Sequence, residues 1–106
     1  MNIYESLFHL RLDLEQLKKD QTLSIEMIEQ HFIHAMKDKM IFNYQEVLSK
    51  YVEINEDVIA NFDQNTILAF LTSVIRMERF MEGTLDHNLR SGLVLIAIEK
   101  LATLTV

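Results

Sequence analysis

The chain contains no proline and only 2 glycines among its 106 residues. Sheets and barrels need many tight turns, and proline and glycine supply a large share of them. Their scarcity therefore favours helices before any periodicity is considered. Hydrophobic residues make up 49% and charged residues 25% of the chain, which is typical of a folded domain. Because one core suffices at this length, we expect a single helical domain over residues 1–106.

Apolar residues recur every three or four positions along most of the chain, the spacing that places them on one face of a helix. The first stripe predicts a helix from about Ile3 to Lys19, with Leu12 widening its apolar face. Later stripes, several preceded by polar cap candidates, predict helices that begin near Ser24, Asn43, Asp63, Thr84 and Leu93. The sequence thus predicts an all-α fold, a compact bundle of about five to six helices.

The predicted helix from Asp63 to Glu82 is apolar over most of its circumference. Such a helix has to be covered on nearly all sides, so we expect it at the centre of the bundle. Leu71, Phe80 and Met81 are then core residues. Gly83 follows the helix and suits its C-cap, because glycine adopts a positive φ without a Cβ clash.

The net charge of the chain narrows the classes of molecule that it is expected to bind. The formal net charge is -6, whereas a nucleic-acid-binding surface needs clustered Lys and Arg, so direct nucleic-acid binding is disfavoured. The most acidic stretch runs from Glu53 to Asp63 and contains no Lys or Arg. It predicts an exposed corner of the molecule.

The composition and the apolar segments of the chain also indicate where in the cell the protein is located. The absence of cysteine excludes disulfides and is compatible with a reducing environment. The N-terminal residues carry charge from Glu5 onward, unlike a secretory signal. The longest uninterrupted apolar run, Leu93 to Ile98, is far shorter than the ~20 residues that cross a bilayer. We therefore expect a cytoplasmic protein with no membrane span.

The second half of the chain carries a spaced motif. Glu78, Arg79, Phe80 and Gly83 form ERFxxG, and the apolar-glycine series that follows is Leu89, Gly92, Val94, Ile98 and Leu101. This pattern resembles the C-terminal signature of a bacterial family known only as a domain of unknown function, in which Leu or Ile is commoner at the position of Val94. The segment from His34 to Leu48 is similar to the family's upstream segment, so the resemblance covers about residues 34–104. It implies an α-helical domain and supplies no activity.

Few side chains suggest chemistry. His31 and His34 are three residues apart on one predicted helix and could place two imidazoles on neighbouring positions. Zinc needs at least three protein ligands, and no sequence motif completes the set, although His9, His87 or Glu26 could do so in three dimensions. We therefore expect polar or hydrogen-bonded histidines, no metal and no cofactor.

The carboxylates of Glu78 and Glu82 are four residues apart and could lie close together on a helix. Helical surfaces carry such pairs routinely, and no nucleophile or phosphate-binding motif accompanies this one. Glu78 and Arg79 are equally explained as polar groups at the end of a helix. Met27, Met36, Met40, Met77 and Met81 lie near apolar faces, either filling the core or forming an adaptable groove for a partner.

These observations favour a small cytoplasmic protein-interaction module with no catalytic activity of its own. Its candidate functional surface consists of Glu78, Arg79, Glu82, His31 and His34. One alternative is an acidic inhibitor or mobile-element accessory protein that covers a basic, nucleic-acid-facing surface of its target. Another is a ligand- or metal-binding enzyme built around His31, His34, Glu78 and Arg79.

The two ends of the chain suggest self-association. The first predicted helix carries seven large apolar residues on more than one narrow stripe, and the last segment ends with Leu101, Leu104 and Val106. Exposed apolar surface of this extent usually marks an interface, and two-fold dimers are the commonest way to cover it. We expect a homodimer, with packing of the two segments on each other as the alternative.

Overall fold

A computed structural model describes residues 3–105, in which the regular structure is entirely helical. The helices are α1 (Glu5–Phe8), α2 (Arg11–Lys19), α3 (Glu26–Met36), α4 (Tyr44–Leu48), α5 (Glu56–Ile59), α6 (Gln64–Met77), α7 (Thr84–Arg90) and α8 (Leu93–Leu104). The predicted all-α fold is confirmed, and all the helices pack around one core. No helix within residues 3–105 combines the length and apolar character needed to cross a bilayer.

The first predicted helix is divided in two. α1 and α2 meet at a turn, in which the Leu10 N–H donates to Leu7 O at 3.1 Å. The bend lets α1 pack on α3 and α8 while α2 packs on α7 and α8. Both segments can therefore bury leucines, whereas Ile3 and Leu12, which were predicted to belong to one continuous apolar face, are exposed.

α6 lies at the centre of the molecule, as predicted. It packs against α3, α4, α7 and α8, and its Leu71 side chain is completely buried. Its first turn is fixed by Asp63, whose carboxylate accepts the Thr66 N–H at 2.8 Å. The central element is therefore held both by packing and by a side-chain cap.

α6 ends at Met77, and not at Glu82 as the sequence predicts. The Glu78 carboxylate accepts the N–H of Gly83 at 3.2 Å and that of Leu85 at 2.9 Å. These bonds reach forward into the start of α7, so the chain turns there instead of continuing the helix.

The loop between α6 and α7 differs from the prediction in the burial of its side chains and in the role of its glycine. Phe80 is 77% exposed and Met81 is 61% exposed, so neither belongs to the core. Gly83 has the predicted positive φ, at 96°, but it immediately precedes α7 and is not the C-cap of α6. Gly92, with φ at 90°, separates α7 from α8 as expected.

Three predicted helix caps are wrong. Ser24 is not at the start of α3, where Ile25 takes the cap position, and the Asn43 side chain makes no cap bond at the start of α4. Thr84 is the first residue of α7 and not its cap. The backbone at these three helix starts is not extended, so a cap side chain is not directed at the free N–H groups. Asn55 has the extended backbone, and it caps α5.

α8 is a helix, as predicted, and it packs against α1 and α2. Leu7, Leu14, Leu17 and Leu101 are completely buried. The two segments expected to form a dimer interface therefore cover much of their apolar surface within one chain. Val106, which was included in that expectation, lies outside the described residues.

Candidate functional site

A groove opens between α3 and the end of α6. One stripe of α3 lines it, formed by Gln30, Ile33, His34 and Lys37, which are spaced so that they share one helix face. Met40, Ile75, Arg76 and Arg79 complete the lining. The groove has a volume of about 480 Å³ and is open to solvent. We call it the α3–α6 groove.

The segment that follows α3 is anchored to the helices on both sides of the groove. The Lys39 ammonium donates to Ala35 O at 2.8 Å, which holds the end of α3. The buried Thr72 hydroxyl donates to Leu68 O at 2.7 Å and accepts the Ile41 N–H at 3.0 Å. Met40 lies between these two anchors, so its place in the groove is set by both helices.

The groove is basic although the molecule is acidic. Lys37, Arg76 and Arg79 are three of the 10 Lys and Arg residues in a chain with 16 Asp and Glu. None of the described residues that line the groove is a carboxylate. His34 adds an imidazole to the same lining. The lining thus combines the apolar side chains of Ile33, Met40 and Ile75 with cationic ones.

Two carboxylates, those of Glu26 and Glu29, lie in the first turn of α3. Burial, together with the nearby carboxylates of Asp86, Glu78 and Glu26, raises the pKa of Glu29, and Arg90 opposes the effect. Glu29 therefore lies towards α7. Glu26 is four residues before Gln30, so it continues the stripe of groove residues at the N-terminal end of α3, although it does not line the groove itself.

A second depression continues the groove. It has a volume of about 350 Å³ and is lined by Met40, Ile41, Phe42, Tyr44 and Arg76. Met40 and Arg76 line both depressions, so the two lie next to each other on the surface. Phe42 is fully exposed there. Aromatic residues are enriched at protein interfaces, which makes this exposed ring a candidate contact. We call this extension the Phe42 pocket.

The structure distributes the predicted site residues over several places. His34 and Arg79 line the α3–α6 groove together. Glu78 instead binds backbone N–H groups at the start of α7, and Glu82 lines a separate depression beside Met81 and His87. Since α6 ends before both glutamates, the helical spacing that would pair their carboxylates is absent.

Three of the histidines considered from the sequence line one depression, which lies between α3 and the segment around His9. His31 and His34 line a shallow depression of about 260 Å³ together with His9 and Asp13. The third imidazole considered from the sequence is thus present in the neighbourhood. Within residues 3–105, however, no group of three or more His, Cys, Asp or Glu side chains is placed to hold a metal ion.

Sequence reasoning missed Lys37, Arg76, Ile33 and Phe42 as groove residues. A usable signal exists on α3, because Ile33, His34 and Lys37 share helical spacing. No comparable signal links them to Arg76, which lies on another helix, and the pairing depends on tertiary packing. Met40 lines the groove and packs partly against the core, whereas Met36 is buried in the core.

Comparison with known proteins places the whole groove within a family match. The model of a family of unknown function, DUF6508, matches residues 23–105. This range extends upstream of the resemblance inferred from the sequence and includes all of α3. No curated protein and no solved structure matches the chain.

Proposed function

The chain belongs to the DUF6508 family of unknown function, and we propose that it is a cytoplasmic protein-interaction module with no catalytic activity of its own. In this proposal, the α3–α6 groove is the surface that binds the partner. The observation that carries it is the combination of apolar side chains with three cationic ones, without a carboxylate, in the groove of a chain of net charge -6.

Binding is favoured over catalysis by the chemistry of the lining. Acid/base or nucleophilic catalysis usually needs a nucleophile or acid held against a base. The groove offers one imidazole, at His34, and its other polar groups are an amide, a lysine and two arginines. Arginine and methionine, both present here, are enriched at protein interfaces.

The proposal is tested with a partner captured from the native host, identified by mass spectrometry and then purified. Its affinity is measured by calorimetry for the wild type and for the Arg76→Glu/Arg79→Glu double variant. We expect the double variant to bind at least about tenfold more weakly, since it reverses two charges that face the partner.

Lys19→Glu is the matched control, because Lys19 is an exposed cation at the end of α2 and does not line the groove. It should change the affinity by less than about twofold, which is the level of a rim charge. Thermal unfolding must show that all variants fold. Equal losses for the groove variant and the control, or no loss for either, would contradict the proposal.

A second candidate function concerns the acidic corner around α5. Glu53, Glu56 and Asp57 are exposed there, and Val52 beside them is fully exposed. This surface supports the alternative of an acidic inhibitor or mobile-element accessory protein that covers a basic surface of its target. In the same binding assay, Glu56→Lys/Asp57→Lys would then abolish binding while Arg76→Glu/Arg79→Glu would not.

We retain the homodimer as a separate proposal on a smaller surface than the sequence suggested. Ile3, Leu12 and Leu104 remain exposed on the helices that were expected to form it. Light scattering coupled to size exclusion, over a range of micromolar concentrations, should give twice the 12.5 kDa chain mass. A monomer mass that persists as the concentration rises would exclude the dimer.

A further inference from the structure

The groove also indicates what kind of partner it takes. We infer that its occupant is an acidic amphipathic helix of a partner protein, about three turns long, lying along α3 and across Arg76 into the Phe42 pocket. The inference rests on the proposed function, because it names the binding element of a partner in that same groove.

The shape of the path fits a helix. The α3 stripe runs from Gln30 to Lys37, and at about 1.5 Å per residue it is roughly 10 Å long. The Phe42 pocket adjoins the groove at Met40 and Arg76. A helix of about three turns spans ~16 Å, which covers the stripe and reaches the extension. An occupant of this kind would complete a helix-in-groove arrangement with α3 and α6 as the walls.

The apolar residues provide contacts at intervals along this path. Ile33 and Ile75 face the groove, and both keep part of their surface accessible. Met40 lies where the two depressions meet, and its flexible side chain can adapt to a partner. Phe42 supplies an exposed ring at the far end. Apolar side chains of a partner helix, spaced three or four residues apart, can contact these positions in turn.

The cationic side chains of the groove favour a partner helix with acidic residues beside its apolar face. Lys37, Arg76 and Arg79 line the same groove, and the guanidinium groups favour carboxylates in paired hydrogen bonds. A nucleic acid is a poorer fit, because the groove offers only three cationic side chains for phosphates and much of its remaining lining is apolar. Another copy of this chain is also a poorer fit, because its acidic helix α5 has only 4 residues.

The test uses a display library of 16-residue peptides, randomised at all positions and selected for binding to the full wild-type chain. Peptides that also bind the Arg76→Glu/Arg79→Glu variant are removed in each round. We expect the remaining peptides to carry apolar residues at helical spacing with Glu or Asp beside them. The best peptide is then synthesised, and its helicity on binding is followed by circular dichroism.

Reversing the charge on both the protein and the peptide distinguishes a specific ion pair from general electrostatic attraction. Arg76→Glu should weaken the peptide at least about tenfold, and a peptide in which the facing Glu is replaced by Lys should recover most of that loss. Phe42→Ala should weaken it about tenfold, whereas Leu12→Ala, which removes an exposed leucine from α2, should leave the affinity unchanged.

Three results would overturn the inference. The selected peptides would lack acidic residues or helical spacing, the peptide would bind without forming a helix, or the Glu-to-Lys peptide would fail to restore binding to Arg76→Glu. A 20-nucleotide RNA that competes for the groove, or self-association lost on Phe42→Ala, would assign a different occupant. If such results occur while the captured partner still depends on Arg76 and Arg79, the proposed function stands and only the acidic helix is rejected.

Discussion

Glu78 shows how a residue of a recognisable motif can act through the backbone. Its two carboxylate oxygens accept N–H groups from Gly83 and Leu85, which ends α6 and begins α7. The neighbouring Arg79 reaches the groove, and Phe80 is left exposed. The sequence marks these residues as a group, but it does not reveal that one of them shapes the loop and another lines a surface.

The first residue-scale prediction concerns Gly83. Its φ of 96° is strained for any residue with a Cβ atom, although a Cβ there would have nothing within 4 Å. Gly83→Ala should therefore destabilise the fold by about 1–2 kcal/mol through the backbone alone. Gly83→Asn should cost less, because asparagine tolerates this conformation better. Urea unfolding measures both, and an alanine variant as stable as the wild type would refute the assignment.

The second residue-scale prediction concerns Asp63. Hydrogen bonds from the side chain and the backbone N–H of Thr66 lower its pKa below the usual 3.8. A lowered pKa in the folded state gives a contribution that is complete well above pH 3.8 and is lost as the pH falls through the folded-state value. Asp63→Ala should cost about 1 kcal/mol at pH 7, as for other helix caps. Unfolding curves at pH 7 and pH 2.5 test this, and a loss that stays the same at both would contradict it.

At the scale of elements, periodicity predicts much of the fold but not its interruptions. The apolar stripes identify α3, α6 and α8, because each buries a regular face. The division between α1 and α2 depends on two different packing partners, which no local pattern records. The early end of α6 depends on a carboxylate that bonds forward across five and seven residues.

The candidate site likewise contains residues that local spacing predicts and residues that depend on tertiary packing. His34 and Arg79 could be singled out from the sequence, and both line the α3–α6 groove. The places of Arg76 and Phe42 in the neighbouring depressions could not be predicted, since these form where α3, α6 and the segment after α3 come together. Local spacing identifies the face of a helix, whereas a groove needs the relative placement of two helices.

The element-scale prediction concerns α6. Leu71 is completely buried in the central helix, so Leu71→Ala should destabilise the protein by about 2–5 kcal/mol, from lost burial and the cavity left behind. Met27→Ala, at an exposed position of α3, is the control and should change stability by less than about 0.5 kcal/mol. A loss under about 1 kcal/mol for Leu71→Ala would mean that α6 is not the central element.

At the scale of the whole molecule, the surface is divided by charge. The acidic corner at α5 and the carboxylates shared by α3 and α7 account for parts of the negative charge, while the α3–α6 groove gathers cations. Screening at physiological ionic strength limits each of these fields to about 8 Å, so a partner in the groove senses mainly the local basic side chains. Net charge alone therefore gives a poor guide to what this protein binds.

The most direct test of this account places a photo-reactive benzoylphenylalanine at Phe42 and, in a second variant, at Leu12. Both side chains are exposed, but only Phe42 lies on the path of the groove. Illumination in the native host should cross-link the Phe42 variant to one protein partner, and Arg76→Glu/Arg79→Glu should abolish that product. The account is contradicted if Leu12 yields the same cross-linked product, or if the product from Phe42 survives the reversal of both groove charges.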